Sequence, residues 1–393
     1  MKLRDICSKI GSGATPRGGK DSYKESGIPI IRSQNVLDWA FNSNGLAFLD
    51  ENQAAVLSNA EVMPGDILIN ITGDSVARAC RVPSEYVPAR VNQHVAIVRV
   101  NDKANASFVL SWLQANKSLL LKLASSGATR NALTKSMLDN LDISLPTIDV
   151  QNQIAVIIDA LQSEIDNSAK LNGYLDELFD LSFRRTLEKA DDGWGTVSLL
   201  DIADYKNGLA MQKFRPEAGD SGLPVLKIKE LGQGCCGSDV ERCRSDIDEN
   251  VSIHDGDLIF SWSGTLLLKF WAGGDAGLNQ HLFKVTSALY PSWFYYAWTK
   301  YHLARFIMLA KDRATTMGHI KRSALAESKV MLPPKEMLDG QTRLMQPIVD
   351  QLIANKIENR KLAVLRDTLL PKLMSGEIDI SKVDLAQLNS HLA

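Results

Sequence analysis

The sequence of this chain repeats itself, and the repeat constrains the fold more than any other feature. Residues 65–73 (GDILINITG) return as residues 256–264 (GDLIFSWSG), and the tripeptide at 92–94 (NQH) recurs unchanged at 279–281. The matches keep their order, while their spacing shortens gradually along the chain. Small loop insertions and deletions in two copies of one domain produce this pattern. A chain of 393 residues is long enough to hold two such cores.

Within each copy, the alternation of segment types predicts an α+β domain. Residues 65–71 and 91–100 are rich in branched apolar residues and are bounded by Gly or Pro, which is typical of strands. Residues 108–123 and 293–309 are apolar on one helical face and carry lysines on the other. We therefore expect an α+β fold, built as two similar globular α/β domains in an internal pseudo-two-fold repeat.

A long segment with helical periodicity follows each copy. Residues 151–188 lack proline and place apolar residues at alternating steps of three and four, which predicts a coiled-coil helix, and the pattern returns from residue 341. Two such helices, packed antiparallel, would separate the two domains. The positions expected in the coiled-coil seam are Ile154, Ile158, Leu161, Ile165, Leu175, Phe179, Leu344, Ile348, Leu362, Leu365 and Leu369, together with polar Ser168, Asn172, Gln351, Asn355 and Glu358. A polar residue in a seam either fixes register and partner or simply faces solvent.

The repeat divides the chain into five predicted segments. They are a first domain at 1–150, a central helix at 151–190, a second domain at 191–338, a C-terminal helix at 339–378 and a tail at 379–393. The formal net charge of −2 excludes a uniformly basic coat for nucleic acid. Basic residues nevertheless cluster late in both domains. This recurrence favours a functional surface that faces an anion over an ordinary solvated face.

The sequence contains few candidates for catalysis or cofactor binding. Residues 11–20 (GSGATPRGGK) resemble a phosphate-binding loop but lack its glycine spacing and the hydroxyl residue after the lysine. His94 and His281 lie in apolar surroundings, where hydrogen-bonded core histidines are more common than bases or ligands. The five scattered cysteines fit free thiols in a reducing cytoplasm. We expect no metal, no bound cofactor and no membrane segment, and the start lacks the apolar core of a signal peptide.

The remaining polar and glycine-rich segments are suited to reading a DNA surface. Arg pairs with guanine, Asn and Gln pair with adenine, and backbone N–H groups of a glycine-rich loop approach phosphates. In the first copy the residues expected to contact DNA are Ser12, Thr15, Arg17, Arg32, Ser33, Asn35, Thr72, Arg78, Arg130, Asn131 and Lys135. In the second copy they are Lys227, Lys229, Ser263, Lys269, Arg313, Thr315, Thr316, His319, Lys321 and Arg322. Ordinary turn and edge residues are the alternative at every one of these positions.

Several short motifs, in order, resemble one known family. They are residues 13–16 (GATP), 64–73 (PGDILINITG), 92–94 (NQH), 145–153 (LPTIDVQNQ) and 369–378 (LLPKLMSGEI). Together with the plan of domain, helix, domain and helix, they resemble the specificity subunit of type I restriction-modification systems. One departure is residues 208–213 (GLAMQK), which replace the glycine-rich loop at 12–19 in the second copy.

The resemblance implies two target-recognition domains that read the two halves of an interrupted double-stranded DNA sequence, with the helices acting as a ruler. It also implies that two modification subunits dock on the helices and methylate adenine with S-adenosylmethionine. Restriction subunits would add ATP- and Mg-dependent translocation and cleavage, so this chain would itself be non-catalytic. Two other hypotheses stay open at this point: a coiled-coil scaffold that binds proteins, and a self-contained DNA enzyme.

Overall fold

The structure is a computed structural model that describes residues 1–125, 131–312 and 318–380. The chain forms two compact units. Unit 1 comprises Met1–Asp166 and the chain from Leu362 onward, and unit 2 comprises Asn167–Lys361. Each unit therefore holds one copy of the repeat and one part of each long helix.

Unit 1 contains two sheets in its described residues. The first is antiparallel with the order β1-β8-β5-β6, and the second has the order β3-β2-β7-β4 with β2 and β7 parallel. The strands are β1 Cys7–Ser12, β2 Ile28–Ile31, β3 Ala47–Leu49, β4 Glu61–Val62, β5 Ile67–Asn70, β6 Ala79–Arg81, β7 Ala89–Val91 and β8 Val95–Val100. The helices are α1 Glu51–Val56, α2 Ala106–Ala115, α3 Lys117–Ser125 and α4 Lys135–Asp139, followed by α5 Ile148–Leu187.

Unit 2 repeats both sheets with the same strand connections. Their orders are β10-β17-β14-β15 and β12-β11-β16-β13, where β11 and β16 are the parallel pair, and β9 and β18 form a further ribbon. The strands are β9 Gly195–Ser198, β10 Asp204–Asn207, β11 Leu223–Leu226, β12 Arg242–Cys243, β13 Ser252–Ile253, β14 Leu258–Ser261, β15 Leu268–Phe270, β16 Ala276–Leu278, β17 Leu282–Thr286 and β18 Lys329–Leu332. The helices are α6 Leu199–Ile202, α7 Ile228–Gln233, α8 Ser292–Asp312, α9 Arg322–Ala326 and α10 Lys335–Ser375. This topology confirms the α+β fold class and the internal repeat.

Two expected elements of the first copy are broken in the structure. The strand expected at 91–100 is two strands, β7 and β8, because the side chain of Asn92 accepts a hydrogen bond from the His94 backbone N–H at 3.0 Å and turns the chain. The helix expected at 108–123 is divided into α2 and α3 at Asn116, whose side-chain amide donates to the Trp112 carbonyl at 2.9 Å. Its counterpart α8 is continuous. A local side-chain hydrogen bond thus accompanies both the interruption of the strand and the interruption of the helix.

In each unit the α5 and α10 segments pack antiparallel and complete the core of the globular part. In unit 1, Ile154 and Ile158 share a buried cluster with Leu370 and Leu373. In unit 2, Phe179 lies in one cluster with Met345 and Val349, alongside the aromatic side chains of α8. The helices begin at Ile148 and Lys335, before the expected residues 151 and 339. The five-segment division of the chain stays a prediction.

The expected seam is correct on α5, and on α10 it is correct at Asn355 but one residue out of register at Leu344 and Leu365. Leu344 is 72% exposed and Leu365 is 46% exposed, whereas the next residue in the chain is buried in both cases. The buried positions on α10 are Met345, Val349, Leu352, Asn355, Arg366, Leu370 and Leu373. Apolar residues stand in adjacent pairs along this helix, so two helical phases fit the sequence equally well. Only packing against the globular part selects one of them.

One polar pair lies inside the helix contact of unit 2, as expected for Asn172 and Asn355. The side-chain amide of Asn355 donates to the side-chain oxygen of Asn172 at 2.8 Å, and the Asn172 amide faces the Leu352 carbonyl at 3.4 Å. Asn355 is 5% exposed, so its amide depends on this pair for a hydrogen-bond partner. Gln351 is exposed, but its side-chain amide donates to the side-chain oxygen of Asn355 at 2.6 Å, whereas Glu358 is exposed.

Among the residues that the structure describes, no helix is both long and apolar enough to cross a membrane.

Candidate nucleic-acid interface

The repeated Asn-Gln-His sequence forms the same turn in both units. Asn92 is buried between β7 and β8, and Asn279 is buried between β16 and β17. Each asparagine side chain accepts a hydrogen bond from the backbone N–H of the histidine two residues later, at 3.0 Å for His94 and 3.3 Å for His281. An asparagine is suited to this role because its short side chain can close the turn on its own backbone. The turn therefore fixes where each imidazole lies.

A glycine in each copy lets the chain after the first strand pack against this turn. A Cβ on Gly13 would lie 1.7 Å from the Val91 carbonyl oxygen, and a Cβ on Gly208 would lie 2.3 Å from the Leu278 carbonyl oxygen. The Gly13 N–H donates to the Asn92 carbonyl at 3.2 Å. This glycine therefore serves close packing, and its N–H is already bonded, contrary to the expectation that it approaches a phosphate.

In unit 1 a chain of side-chain hydrogen bonds surrounds the imidazole of His94. Its Nδ1 lies 2.6 Å from the Thr72 hydroxyl oxygen, and its Nε2 lies 3.1 Å from the side-chain amide nitrogen of Gln93. The Gln93 side-chain oxygen accepts from the Thr15 hydroxyl. Unit 2 has the same arrangement around His281, with Ser263 in place of Thr72 at 3.0 Å and Gln280 in place of Gln93 at 3.4 Å. The histidines are thus half-buried and hydrogen-bonded, as expected, but they line a surface and not a core.

An open pocket of ≈ 450 Å³ adjoins His94 in unit 1. The Asn70 amide holds the wall of this pocket in place by donating to the Ser33 and Val36 carbonyls at 2.9 and 3.1 Å. The opposite wall is the turn after β5, where the Gly73 N–H donates to the Asn131 carbonyl at 3.1 Å. The lining residues offer donors and acceptors together; they are Ser33, Gln34, Thr72, Gly73, Asp74, Ser75, Arg78 and His94.

In unit 2, aromatic rings occupy the corresponding place. The Trp262 ring lies 6.0 Å from the His281 ring and 6.3 Å from the His319 ring, measured between centroids. Ser263 is 3% exposed, and it pairs across a β-bridge with His319. Its hydroxyl is therefore inside the fold, which corrects the expectation that Ser263 contacts DNA. Unit 2 instead presents the partly exposed Trp262 ring and the exposed His319 ring, which suit stacking and apolar contact.

The structure brings together some of the residues expected to contact DNA in the first copy. Ser33, Thr72 and Arg78 line the pocket, and Thr15 reaches it through Gln93. Asn35 does not: it is fully buried, and its amide donates to the Asn42 carbonyl at 2.8 Å. The expectation for Asn35 is wrong because the sequence does not distinguish a base-reading amide from one that closes a turn.

Other expected contacts in unit 1 lie elsewhere or are engaged. The Arg32 guanidinium donates to the Gly45 carbonyl and stands 5.5 Å from the centre of the Tyr23 ring, so it braces its own loop. Ser12, Arg17, Asn131 and Lys135 are exposed outside the pocket. For these four the DNA contact stays a prediction.

In unit 2 several expected cations already have partners. The ammonium group of Lys227 lies 2.6 Å from a Glu241 carboxylate oxygen. Lys269 donates to the Gly232 carbonyl at 2.8 Å, and burial lowers its pKa, which makes it a poor phosphate contact. Arg322 donates to the Tyr205 carbonyl at 3.1 Å but is exposed, as are Lys229, His319 and Lys321. Arg130, Arg313, Thr315 and Thr316 lie outside the described residues.

The residues that sequence reasoning missed are those around the imidazole. Gln93 and His94 in unit 1, and Gln280 and His281 in unit 2, were not expected at an interface. The signal was present, since this tripeptide is a polar motif that the two copies share without change. Within the described ranges, no three His, Cys, Asp or Glu side chains come together as ligands for a metal ion.

A second exposed surface follows the α5 segment of unit 2. Leu171, Tyr174, Leu178 and Leu181 are 45–69% exposed, and they stand three, four and three residues apart. This spacing places them in one stripe along the helix. An exposed apolar stripe of this kind marks a surface for a protein partner more often than a solvated face.

Comparison with known proteins gives one consistent answer. Residues 1–174 and 191–366 each match the family described as the type I restriction modification DNA specificity domain. The MjaIX specificity subunit of Methanocaldococcus jannaschii is 24% identical, with 97% of this chain and 94% of the relative covered. The EcoKI specificity subunit of Escherichia coli K12 is 23% identical, with 91% and 83% covered.

A solved structure shares the fold. It is the S subunit of a type I restriction-modification system from M. genitalium, with a TM-score of 0.56, 14% identity, and 95% of each chain covered. At this identity the likeness supports the arrangement of elements and nothing about individual side chains.

Proposed function

Since this chain belongs to the type I restriction-modification DNA specificity family, we propose that its two units read the two halves of an interrupted DNA sequence. The chain is the DNA-recognition subunit of a type I restriction-modification complex, and it is not the catalytic one. The observation that carries the proposal is the duplicated Asn-Gln-His turn, which places a polar surface at the same point of two similar units. Membership of the specificity family favours this function over the protein-binding scaffold and the self-contained enzyme.

The surfaces differ between the units in the way that two half-sites require. In unit 1 the pocket beside His94 offers hydrogen-bond donors and acceptors for base edges. In unit 2 the rings of Trp262 and His319 offer an apolar surface that a thymine methyl group could contact. Exposed Arg17 and Lys135 in unit 1, and Lys229 and Lys321 in unit 2, would contribute the phosphate contacts that position each unit.

The helices are the proposed docking surface for the other subunits. We assign the exposed apolar stripe Leu171, Tyr174, Leu178 and Leu181 to a modification subunit. A second modification subunit would dock on the part of the helices that corresponds to this stripe in the other copy of the repeat. Restriction subunits would join this core. S-adenosylmethionine, ATP and Mg would then be bound by those partners and not by this chain. The free cysteines and the DNA substrate favour a cytoplasmic location.

Genomic methylation tests the proposal directly. A host that expresses this chain with its modification subunit should gain adenine methylation at one sequence with two specified halves and an unspecified spacer. Single-molecule sequencing of the host DNA would show the motif. A continuous motif, or no new motif from a complex shown to assemble, would contradict the proposal.

The docking assignment has its own test. Replacing Leu178 and Leu181 by Asp should prevent assembly with the modification subunit, because each change places a charge in a surface that becomes buried. Glu177→Gln, at the neighbouring exposed position, is the matched control and should assemble normally. Assembly would be measured by size-exclusion chromatography. Normal assembly of the double variant would mean that the modification subunit does not dock on this stripe.

The helix length should also set the spacer. Inserting one heptad into both α5 and α10 should lengthen the unspecified spacer in the methylated motif, because the two half-sites would be held further apart. An unchanged spacer in an active variant would show that the helices are not the ruler.

A further inference from the structure

We propose that His94 is a positioning residue that turns the Thr72 hydroxyl into a hydrogen-bond donor for an acceptor atom of the DNA. The inference rests on the proposed DNA-reading function and adds the direction of one hydrogen bond at its surface. It depends on which atoms in the chain Thr15, Gln93, His94 and Thr72 are able to donate.

The first step concerns the Nε2 atom of His94. An amide nitrogen has no lone pair available to accept, so the Gln93 side-chain nitrogen, 3.1 Å away, can only donate to Nε2. The amide lies with its oxygen at the Thr15 hydroxyl, from which it accepts, and with its nitrogen at Nε2. Nε2 is therefore unprotonated, and the ring carries its proton on Nδ1.

The second step concerns the hydroxyl. With its proton on Nδ1, the ring donates to the Thr72 oxygen at 2.6 Å. Because this oxygen already accepts from the ring, the hydroxyl proton must point to a different group. Thr72 lines the open pocket together with Arg78, so its proton is presented where DNA would lie. The pocket therefore selects for a hydrogen-bond acceptor at this point.

The second unit supports the direction independently. Gln280 faces Nε2 of His281 through its amide nitrogen at 3.4 Å, and Nδ1 faces the Ser263 hydroxyl at 3.0 Å. Both copies thus place an amide nitrogen at Nε2 and a hydroxyl at Nδ1. Since Ser263 is buried, the same arrangement in unit 2 ends inside the fold, and the outward donor belongs to unit 1 alone. The repeat keeps the positioning residues, while the exposure of the hydroxyl differs.

The acceptor on the DNA is either a phosphate oxygen or a base atom, such as purine N7 or thymine O4. The two share the same chemistry, but loss of the contact has a different effect in each case. A lost base contact relaxes specificity at one position, whereas a lost phosphate contact weakens binding of all sequences uniformly.

The tautomer can be measured on the full chain without DNA. With ¹⁵N-labelled histidine, the spectrum should show His94 protonated at Nδ1 and not at Nε2, with the resonance assigned by the variant His94→Asn. Gln93→Met removes the donor and should let the Nε2–H form appear at His94. Gln280→Met is the matched control, which should change the His281 signal and leave His94 as it is. An Nε2–H ring at His94 in the unsubstituted chain would overturn the proposal.

The functional arm uses the complex with its modification subunit and a duplex selected by that complex from a randomised library. Thr72→Val should weaken binding of that duplex by about tenfold, the usual cost of one lost hydrogen bond to a buried partner. Thr72→Ser should restore it, since serine keeps the hydroxyl. Thr286→Val, an exposed change on β17, is the control for the substitution itself.

The outcomes separate the donor role of Thr72 from the DNA-reading function. Binding by Thr72→Val equal to that of the unsubstituted complex would overturn the donor role. Weaker binding with relaxed selection at one base position supports a base acceptor, and uniform weakening supports a phosphate. If the unsubstituted complex selects no duplex at all, the DNA-reading function fails, whereas the tautomer is still decided by the spectrum.

Discussion

Unit 1 and unit 2 share their strand order and their Asn-Gln-His turn, yet they differ in the side chains that line the surface beside the turn. Unit 1 has an open polar pocket beside His94, and unit 2 has Trp262 and His319 beside His281. Asn92 and Asn279 stay the same and hold the backbone of the turn in place, whereas the side chains around the imidazole differ. A duplicated scaffold can therefore read two unlike half-sites, because the surface changes without any change in the frame that holds it.

The units also differ in how α10 is attached to the globular part. In unit 1, Arg366 stacks on Trp39 at 4.6 Å and donates to Gln162. In unit 2, Arg360 holds both carboxylate oxygens of Asp255 at 2.8 and 2.7 Å. Two arginines, less than two turns apart on one helix, thus serve different units. If the units are independent, loss of either arginine should loosen one unit only.

The largest effect is expected for Arg366→Ala. Arg366 is 7% exposed, so its loss removes a buried cation–π contact and leaves the Gln162 side chain without its donor. We expect unit 1 to lose about 2–3 kcal/mol of stability. Hydrogen exchange should show faster exchange in β5 and β8 and unchanged rates in β14 and β17. Arg343→Ala, an exposed change on the same helix, is the control. Equal loosening of both units would mean that they are not independent.

A smaller effect, located in the other unit, is expected for Arg360→Ala. Burial alone would raise the pKa of Asp255, but hydrogen bonds from Arg360 and the Gly274 N–H outweigh it and keep that pKa below its usual value. Removing the arginine leaves a partly buried carboxylate, at a cost of about 1–2 kcal/mol in unit 2. The same exchange experiment should show the change in β14 and β17. Protection lost in unit 1 instead would contradict the assignment of this ion pair.

The Asn172–Asn355 pair provides a third test within unit 2. Asn355→Leu should cost about 1 kcal/mol, because it leaves the side-chain oxygen of Asn172 without its donor. Asn172→Leu in addition should recover part of that loss, since two leucines suit a helix contact. A double-mutant cycle by denaturant unfolding measures the coupling. Strictly additive effects would show that the 2.8 Å hydrogen bond contributes nothing.

The smallest effect concerns pH and His254, also in unit 2. A hydrogen bond with Asp275 raises the pKa of His254, with smaller contributions from Glu249 and Asp257, against a modest opposing effect of burial. A pKa raised by folding means that the stabilisation is present below the unfolded value of about 6.5 and is lost as pH rises through the folded value. Because the side chain is 46% exposed, we expect no more than about 0.5 kcal/mol. Unit 2 of His254→Gln should lack this pH dependence, and an unaltered pH profile would contradict the assignment.

The sequence predicted the scaffold well because a repeat constrains topology. Matching strands in two copies must pair in the same order, and both sheets of unit 1 recur in unit 2. It predicted part of the α10 seam one residue out of register, at Leu344 and Leu365, because apolar residues such as Leu344 and Met345 stand side by side and local periodicity cannot choose between them.

The interface was predicted less well, and for a physical reason. Asn35 and Asn92 both close turns with their side-chain amides. An asparagine that reads a base carries the same amide group and differs only in being exposed. Exposure depends on how loops distant in sequence pack together, as when Asn70 holds the loop that begins at Ser33. The sequence predicts only a hydrogen-bonded core histidine at His94, because it does not show that Thr72 and Gln93 lie at the two nitrogens of its ring.

Each unit is proposed to read its own half of the DNA sequence. Exchange of the globular part of one unit is a direct test of that independence. Residues 1–145 would be replaced by the first domain of another family member, and the genomic methylation of a host that carries this chimaera and the modification subunit would be sequenced. We expect a motif in which one half has changed and the other half is retained. A motif changed in both halves would contradict that independence.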